Sequence, residues 1–207
     1  MDCDFCYNYF DGAEFQPELC LRVIDRCLKL GARVFTIGGA EPFIHKEIWT
    51  ILEYLRSRHV FIHVDTNGLC LNKAKLQRLN PLVDLLALPL DGSNRHVHEA
   101  VRKHPSHFNM IKELLEELSS GNYSYRVKVN TLAVRSNLND LENIGSFLEQ
   151  YKIHIWSIYE FWPLQRAEKV LGKYQPEEGL IDRVFAELKR QQFINHMHLE
   201  LHRYIRR

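Results

Sequence analysis

Short apolar runs alternate with longer amphipathic stretches along most of this 207-residue chain. The apolar runs are rich in Val, Ile, Leu and Phe, and they predict β-strands at residues 33–37, 60–65, 85–90, 125–134, 153–161 and 197–201. The amphipathic stretches predict helices at residues 17–30, 45–58, 72–79, 108–119, 138–150 and 176–191. Strands that alternate with helices form a parallel sheet covered by those helices. The sequence therefore predicts an α/β fold in a single domain over residues 1–207, with a C-terminal extension from about residue 170.

Charge and hydropathy exclude several classes of function. The 27 basic and 26 acidic residues give a net charge of +1, which favours neither a nucleic-acid surface nor a membrane surface. No apolar run approaches the ~20 residues that a membrane-spanning helix needs. The first residues are acidic residues and cysteines, which do not resemble a signal peptide. Because the five cysteines have no regular spacing, we expect free thiols in a reducing compartment, the cytoplasm.

Unusual polar and glycine-containing segments follow the predicted strands. They are GGAEP at 38–42, DTNG at 65–68, LDG at 90–92, KVNT at 128–131 and YEFWPL at 159–164. Ligands of parallel α/β proteins bind at the carboxyl ends of the strands, where these segments meet. Gly38 and Gly39 allow a ligand to approach the backbone closely, and Glu41 offers an anionic acceptor for an ammonium group. We therefore expect a ligand site at this edge of the sheet rather than a set of plain turns.

Two cysteines lie three positions apart at the start of the chain, in the segment Cys3-Asp4-Phe5-Cys6-Tyr7. Thiolates are the preferred ligands of iron–sulfur clusters, and three of them leave one iron open for a substrate or cofactor. A structural zinc site is an alternative, but it needs two further ligands, and the neighbouring Asp2 and Asp4 are poor substitutes.

These segments together resemble the core domain of the radical S-adenosylmethionine (SAM) superfamily over residues 1–162. Cys3, Cys6 and Tyr7 match the end of its CxxxCxxC-aromatic cluster loop, and residues 38–42 match its GGEP motif with Ala40 inserted. Lys128 and Asn130 resemble the KxN strand of the branch that contains the molybdopterin-biosynthesis GTP cyclase and viperin-like enzymes. The resemblance implies a partial (βα)6 TIM-like barrel of parallel strands. It also implies that the first strand and the first cluster cysteine belong before Met1, the cysteine by two positions.

The resemblance also assigns roles to particular residues. Cys3 and Cys6 would be catalytic residues and metal ligands of a [4Fe–4S] cluster. The cofactor-binding residues implied for SAM are Tyr7, Gly38, Gly39, Glu41, Pro42, Thr66, Asn67, Asp91, Asn130, Phe161 and Trp162. The implied reaction is reductive cleavage of SAM, giving a 5′-deoxyadenosyl radical that takes hydrogen from an unknown small-molecule or peptide substrate. A reductant such as a flavodoxin or ferredoxin would supply the electron. The alternative is a non-catalytic or truncated radical SAM-like fold that acts as a binding or scaffold module.

Several other polar residues are singled out by their positions. Lys128 on an inward strand face would be costly to bury alone, so Lys128, with Arg135, is predicted to bind an anionic group of the substrate. His96 and His98 lie near the start of a predicted helix, with His104 and His107 in the loop that follows. The sequence favours solvated histidines there over a metal site.

Overall fold

The computed structural model describes residues 1, 3–6, 16–191 and 197–203. Its centre is a six-stranded parallel sheet in which the strands neighbour one another in sequence order. The strands are β1 (Val34–Ile37), β2 (Phe61–Asp65), β3 (Leu85–Pro89), β4 (Arg126–Ala133), β5 (Ile155–Glu160) and β6 (His198–His202). The α/β class and the parallel sheet predicted from the sequence are confirmed. Sequential parallel order is the strand arrangement of a βα barrel, here with β1 and β6 at the two edges of the described sheet.

One helix precedes β1, and the others connect successive strands. The helices are α1 (Pro17–Lys29), α2 (Ile48–Ser57), α3 (Lys73–Leu79), α4 (Arg95–Arg102), α5 (His107–Ser120), α6 (Leu141–Leu148), α7 (Leu171–Tyr174) and α8 (Leu180–Arg190). Short 3₁₀ segments occupy Pro42–Ile44, Leu138–Asp140 and Gln165–Val170. Among the described residues, no helix combines the length and the apolar character needed to cross a bilayer.

The region around the clustered histidines differs from the prediction at His107. A helix on each side of Pro105 is present as expected, since α4 ends at Arg102, Lys103 adopts the left-handed conformation and α5 begins at His107. Proline lacks the amide hydrogen and does not continue a helix, which explains the break. His107 is therefore the first residue of a helix rather than part of a loop, and it lies beside α4.

The helices pack their apolar stripes against one face of the sheet, and the other face is partly polar. In β4, Val127 and Val129 belong to the main hydrophobic core, whereas Lys128 and Asn130 lie on the opposite face. The core includes Leu52, Leu55, Leu76, Leu86, Ile111 and Leu115, all fully buried. This packing fixes the strands, so that their carboxyl ends present the segments at 38–42, 65–68, 90–92 and 159–164 at one edge.

Candidate functional site

A cavity of about 530 Å³ lies at the carboxyl ends of the strands. Its walls come from the N-terminal cysteine turn, from the turns after β1 and β2, and from the ends of β3, β4 and β5. Among the lining residues are Cys3, Cys6, Gly39, Ala40, Thr66, Asn67, Asn130, Phe161 and Trp162. The two cysteines and the diglycine turn, which are more than 30 positions apart in sequence, therefore line one cavity. That juxtaposition is the arrangement on which the sequence interpretation depends.

The cysteine turn is held closed by its own backbone. The Cys6 amide donates to the Cys3 carbonyl at 3.0 Å, and the Cys3 thiol lies 3.7 Å from the Arg102 carbonyl. Burial raises the pKa of the Cys3 thiol, and the nearby Arg102 guanidinium partly offsets this. Asp4, between the two cysteines, is bound by Lys103 and Lys173 on the outer side. The turn is thus held to the C-terminal end of α4 and to α7.

The donor set of this turn fits part of an iron–sulfur site. Two thiols open into the same cavity, and both cysteines are free of disulfides. Thiolate sulfur is the ligand that such clusters take. Within the described part of the chain, no third His, Cys, Asp or Glu completes a metal-binding group with them. A role for Cys3 and Cys6 as two of the three thiolate ligands of a cluster loop stays a prediction.

Glu41 joins the turn after β1 to the turn after β2. Its carboxylate accepts hydrogen bonds from Thr66 Oγ1 and the Asn67 amide, both at 2.7 Å, and from the Phe43 amide at 3.2 Å. It is only 7% exposed and does not line the cavity. The carboxylate thus fixes the spacing of the two turns, and a direct contact between Glu41 and an ammonium group stays a prediction. Gly39 and Ala40 present the backbone of the turn to the cavity instead.

Asp91 also acts behind the cavity wall. It is fully buried, its Oδ1 accepts the Leu132 amide at 2.7 Å, and its Oδ2 is paired with Arg102 Nε. Arg102 itself lines the cavity and lies 5.2 Å from the centre of the Phe5 ring. A buried carboxylate needs such a partner, because an unpaired charge in the interior is costly. Asp91 therefore does not line the cavity itself, but it binds Arg102, which does.

The inner face of β2 and β4 supplies a polar wall. Asn130 Nδ2 donates to Asp65 Oδ1 at 2.9 Å, and both residues line the cavity. The Asn130 Oδ1 atom is buried and has no hydrogen-bond partner among the described residues. An acceptor in this state is costly unless a ligand or water donates to it. Asn130 therefore has an acceptor available for a donor group in the cavity.

Lys128 already has an anionic partner in the protein. Its ammonium donates to Glu200 Oε2 at 3.2 Å and to Tyr159 Oη at 3.3 Å, and Ser157 also bonds Glu200. Burial alone would lower the pKa of Lys128, but Tyr159 and Glu200 raise it. The lone buried charge that motivated a substrate anion is thus neutralised by Glu200. Arg135 lies outside the cavity lining and donates to the Gln175 carbonyl at 3.2 Å. Substrate roles for Lys128 and Arg135 stay predictions.

Gly38 and Pro42 are not among the residues that line the cavity. Gly38 packs against Asp65, since a Cβ added there would lie 3.3 Å from the Asp65 Cβ. Pro42 is buried at the start of the 3₁₀ segment. Tyr7 lies outside the described residues.

Sequence reasoning missed Arg102 and a buried histidine pair. Arg102 had one available signal, because a buried aspartate at a strand end requires a cation and the next helix carries this arginine. The expectation of solvated histidines is wrong for His98 and His107, which are both fully buried. The two rings are hydrogen bonded edge to edge, with centroids 4.9 Å apart, because the break at Pro105 folds α5 back against α4.

A parallel sheet with a ligand-sized cavity at its strand ends, walled partly by two thiols, defines a cofactor-binding α/β protein. The model of the Radical SAM superfamily matches residues 1–148, and the chain belongs to that superfamily. The chain is 28% identical over 143 residues to mycofactocin maturase MftC of Mycolicibacterium smegmatis, a match that covers 68% of this chain and 36% of MftC. It is 23% identical over 180 residues to the S-adenosylmethionine-dependent nucleotide dehydratase of Flammeovirga pacifica, a match that covers 80% of this chain and 60% of the dehydratase. The chain thus spans little more than a third of the length of the maturase.

Solved structures show the same fold. Streptococcus suis SuiB bound to S-adenosylmethionine matches with a TM-score of 0.73 and 14% identity, covering 97% of this chain and 47% of SuiB. SuiB bound to its precursor peptide SuiA matches with a TM-score of 0.70 and 14% identity, covering 96% and 46%. At this identity the likeness concerns the architecture alone.

Proposed function

We propose that this chain is the core of a radical SAM enzyme, which cleaves SAM reductively with a [4Fe–4S] cluster and uses the resulting 5′-deoxyadenosyl radical to take hydrogen from a substrate. The observation that carries the proposal is that Cys3 and Cys6 line the same cavity as the Gly39–Ala40 backbone and Asn130. Family membership supports it independently. We further propose that residues 1–207 form one domain and that the free thiols operate in the reducing cytoplasm.

The chain's own residues would bind and orient SAM along the cavity. Gly39 and Ala40 would offer peptide groups to the amino-acid end, next to the cysteine turn. Asn130 Oδ1 would accept from a ribose hydroxyl, which would satisfy the unpartnered acceptor. Phe161 and Trp162, at the end of β5, would hold the adenine. Glu41 and Asp91 would fix these groups from behind, together with Pro42, Thr66 and Asn67.

The cluster would be held by Cys3 and Cys6 with a third thiolate, and it supplies the electron and the open iron that the reaction needs. The chain's residues have three further tasks at this place. Phe5 covers one side of the cavity by packing on Tyr174, with ring centroids 5.7 Å apart. Arg102 keeps Asp91 neutralised within the wall. The bonds from Lys103 and Lys173 to Asp4 hold the cysteine turn against the barrel.

The substrate would be a small molecule or a peptide. SuiB, which was crystallised with its precursor peptide SuiA, supports a peptide substrate. The partly polar inner face near β6, with Tyr159 lining the cavity and Glu200 half-buried behind it, offers hydrogen-bonding groups to such a ligand. A flavodoxin-like or ferredoxin-like reductant would donate the electron.

The test is anaerobic reconstitution of the full-length protein with iron and sulfide. We expect the charge-transfer absorbance of a [4Fe–4S] cluster and formation of 5′-deoxyadenosine when dithionite and SAM are added. Cys6→Ser should abolish both signals, because it removes a thiolate from the cavity. Cys27→Ser is the matched control, since Cys27 lies on α1 and does not line the cavity, and it should retain both.

Three results would overturn the proposal. An unchanged cluster in the Cys6→Ser variant would show that the cysteine turn does not hold the cluster. Zinc without sulfide in the purified protein would favour the structural zinc alternative. A reconstituted cluster that binds SAM without forming 5′-deoxyadenosine would favour a non-catalytic binding module.

A further inference from the structure

Two buried histidines connect the segment after β3 to the turn after β2. The Asp91 amide donates to His98 Nδ1 at 3.0 Å, His98 Nε2 and His107 Nδ1 are 2.7 Å apart, and His107 Nε2 lies 2.8 Å from the Asn67 carbonyl. These three contacts form one continuous chain of hydrogen bonds. It begins at the residue that binds Arg102 and ends at the residue whose amide binds Glu41.

The two ends of this hydrogen-bond chain determine which ring nitrogens of the two histidines carry a proton. The Asp91 amide can only donate and the Asn67 carbonyl can only accept, so each ring must accept at Nδ1 and donate at Nε2. Both histidines are then neutral, because a second proton on either ring would sit on Nδ1 and point at another N–H donor. Burial supports this, since it lowers the pKa of His98 to about 3 and that of His107 to about 4. Two charged groups act on both rings: Asp91 raises the two histidine pKa values and Arg102 lowers them. His104 further lowers the pKa of His107.

Two glycines bring the helices close enough for these contacts. A Cβ at Gly92 would lie 2.4 Å from the backbone nitrogen of His98, so only glycine lets α4 approach the end of β3. A Cβ at Gly68 would lie 3.0 Å from side-chain atoms of Ile111 and Leu114 on α5, and Gly68 has a φ of +83°. Gly92 and Gly68 therefore allow α4 and α5, which carry the two histidines, to pack closely against the segments after β3 and β2.

We infer that His98 and His107 are positioning residues for the SAM site, holding the turn after β2 in register with the end of β3. This inference rests on the proposed function for its consequence, since the two segments bind Glu41, which joins the turns behind the cavity wall, and Arg102, which lines the cavity. The pair is not a metal site, because its four ring nitrogens are all engaged by protein groups or by each other.

The proton arrangement is tested first by NMR on isotope-labelled protein, without cluster or substrate. Correlations between ring nitrogens and carbon-bound protons should show two histidines as neutral Nε2–H tautomers that do not titrate down to about pH 5, well below the ordinary value of about 6.5. Assignment comes from loss of one signal set in His98→Gln and of the other in His107→Gln. An Nδ1–H tautomer at either ring, or titration of either near pH 6.5, would overturn the inference.

The functional consequence is tested by SAM affinity in the reconstituted full-length protein. His107→Phe keeps the ring volume but removes two hydrogen bonds, and we expect the SAM dissociation constant to rise about tenfold. His107→Gln keeps a donor for the Asn67 carbonyl and should recover part of the loss. Leu118→Ala, at a buried site on the same helix α5, should lower stability without changing SAM affinity at temperatures where the protein is folded.

The outcomes separate the inference from the proposed function. Equal loss of SAM affinity in His107→Phe and Leu118→Ala would mean that the pair contributes only to general stability, and the inference would fail. His96→Gln, at an exposed position of α4, should leave affinity unchanged. If the unsubstituted protein did not bind SAM, the proposed function would fail, whereas the NMR result would still decide the hydrogen-bond chain.

Discussion

The Glu41 carboxylate offers the sharpest test of how the candidate site is assembled. It accepts hydrogen bonds from Thr66 Oγ1, the Asn67 amide and the Phe43 amide while only 7% exposed. Glu41→Gln keeps one acceptor oxygen and places an amide NH₂ group where the other oxygen was. At least one buried amide hydrogen then loses its acceptor and faces another donor.

The expected cost follows from that geometry. A hydrogen bond to a charged group contributes about 1.5–3 kcal/mol, so we expect Glu41→Gln to lower the free energy of unfolding by about 2–3 kcal/mol. For a domain of this size that corresponds to a fall in Tm of about 4–12 °C. Urea denaturation followed by circular dichroism measures the change, and an unchanged m-value would show that the unfolded state is unaffected.

The matched control makes the same chemical change at an exposed site. Glu53 pairs with Arg78 at 3.3 Å, and its side chain is 56% exposed, so Glu53→Gln should change stability by less than about 0.5 kcal/mol. If Glu41→Gln were no more destabilising than Glu53→Gln, the carboxylate would not join the two turns. The account of the cavity wall would then be wrong.

Two further predictions concern other parts of the same network. Gly92→Ala should destabilise the protein by about 3 kcal/mol, because its Cβ would lie 2.4 Å from the α4 backbone, whereas Gly172→Ala, with no atom within 4 Å, should be neutral in the same urea titration. Equal stability of the two glycine variants would contradict the close approach. Glu200→Gln should destabilise by about 1–2 kcal/mol near neutral pH, since Lys128 loses its anion. Burial raises the pKa of Glu200, but hydrogen bonds from Ser157 and Lys128 lower it overall, so the stability it contributes is complete above the ordinary pKa of 4.5 and is lost as the pH falls through the lowered value. A stability difference that stayed constant through that acid range would refute this assignment.

The fold could be predicted where hydrophobic periodicity is strong. The six strands were expected within one or two residues of their ends, because buried parallel strands are continuous apolar runs. The segment Gln165–Tyr174 was not predicted as helical, since its two short helical pieces are too brief to show a period. The break at Pro105 was expected, but the loop ends at Ser106, so that His107 begins α5 one residue before the predicted helix.

The site was predictable where a motif directly follows a strand. Gly39, Asn67 and Asn130 reach one cavity because parallel strands end at one edge of the sheet. The roles of Arg102 and His107 were not predictable, since they depend on how α4 and α5 pack across the ends of two strands. No local sequence pattern predicts how these two helices pack. A buried histidine at the start of a helix also cannot be distinguished by sequence from a solvated one.

The central claim is that the cysteine turn and the diglycine turn build one cofactor cavity. Anomalous X-ray scattering from iron, in crystals of the reconstituted full-length protein, tests it most directly. The account predicts iron peaks within bonding distance of the Cys3 and Cys6 sulfur atoms, a different iron for each sulfur, in the cavity that Gly39 and Ala40 also line. An iron peak away from these two thiols, or one on the far side of the sheet from the diglycine turn, would contradict it.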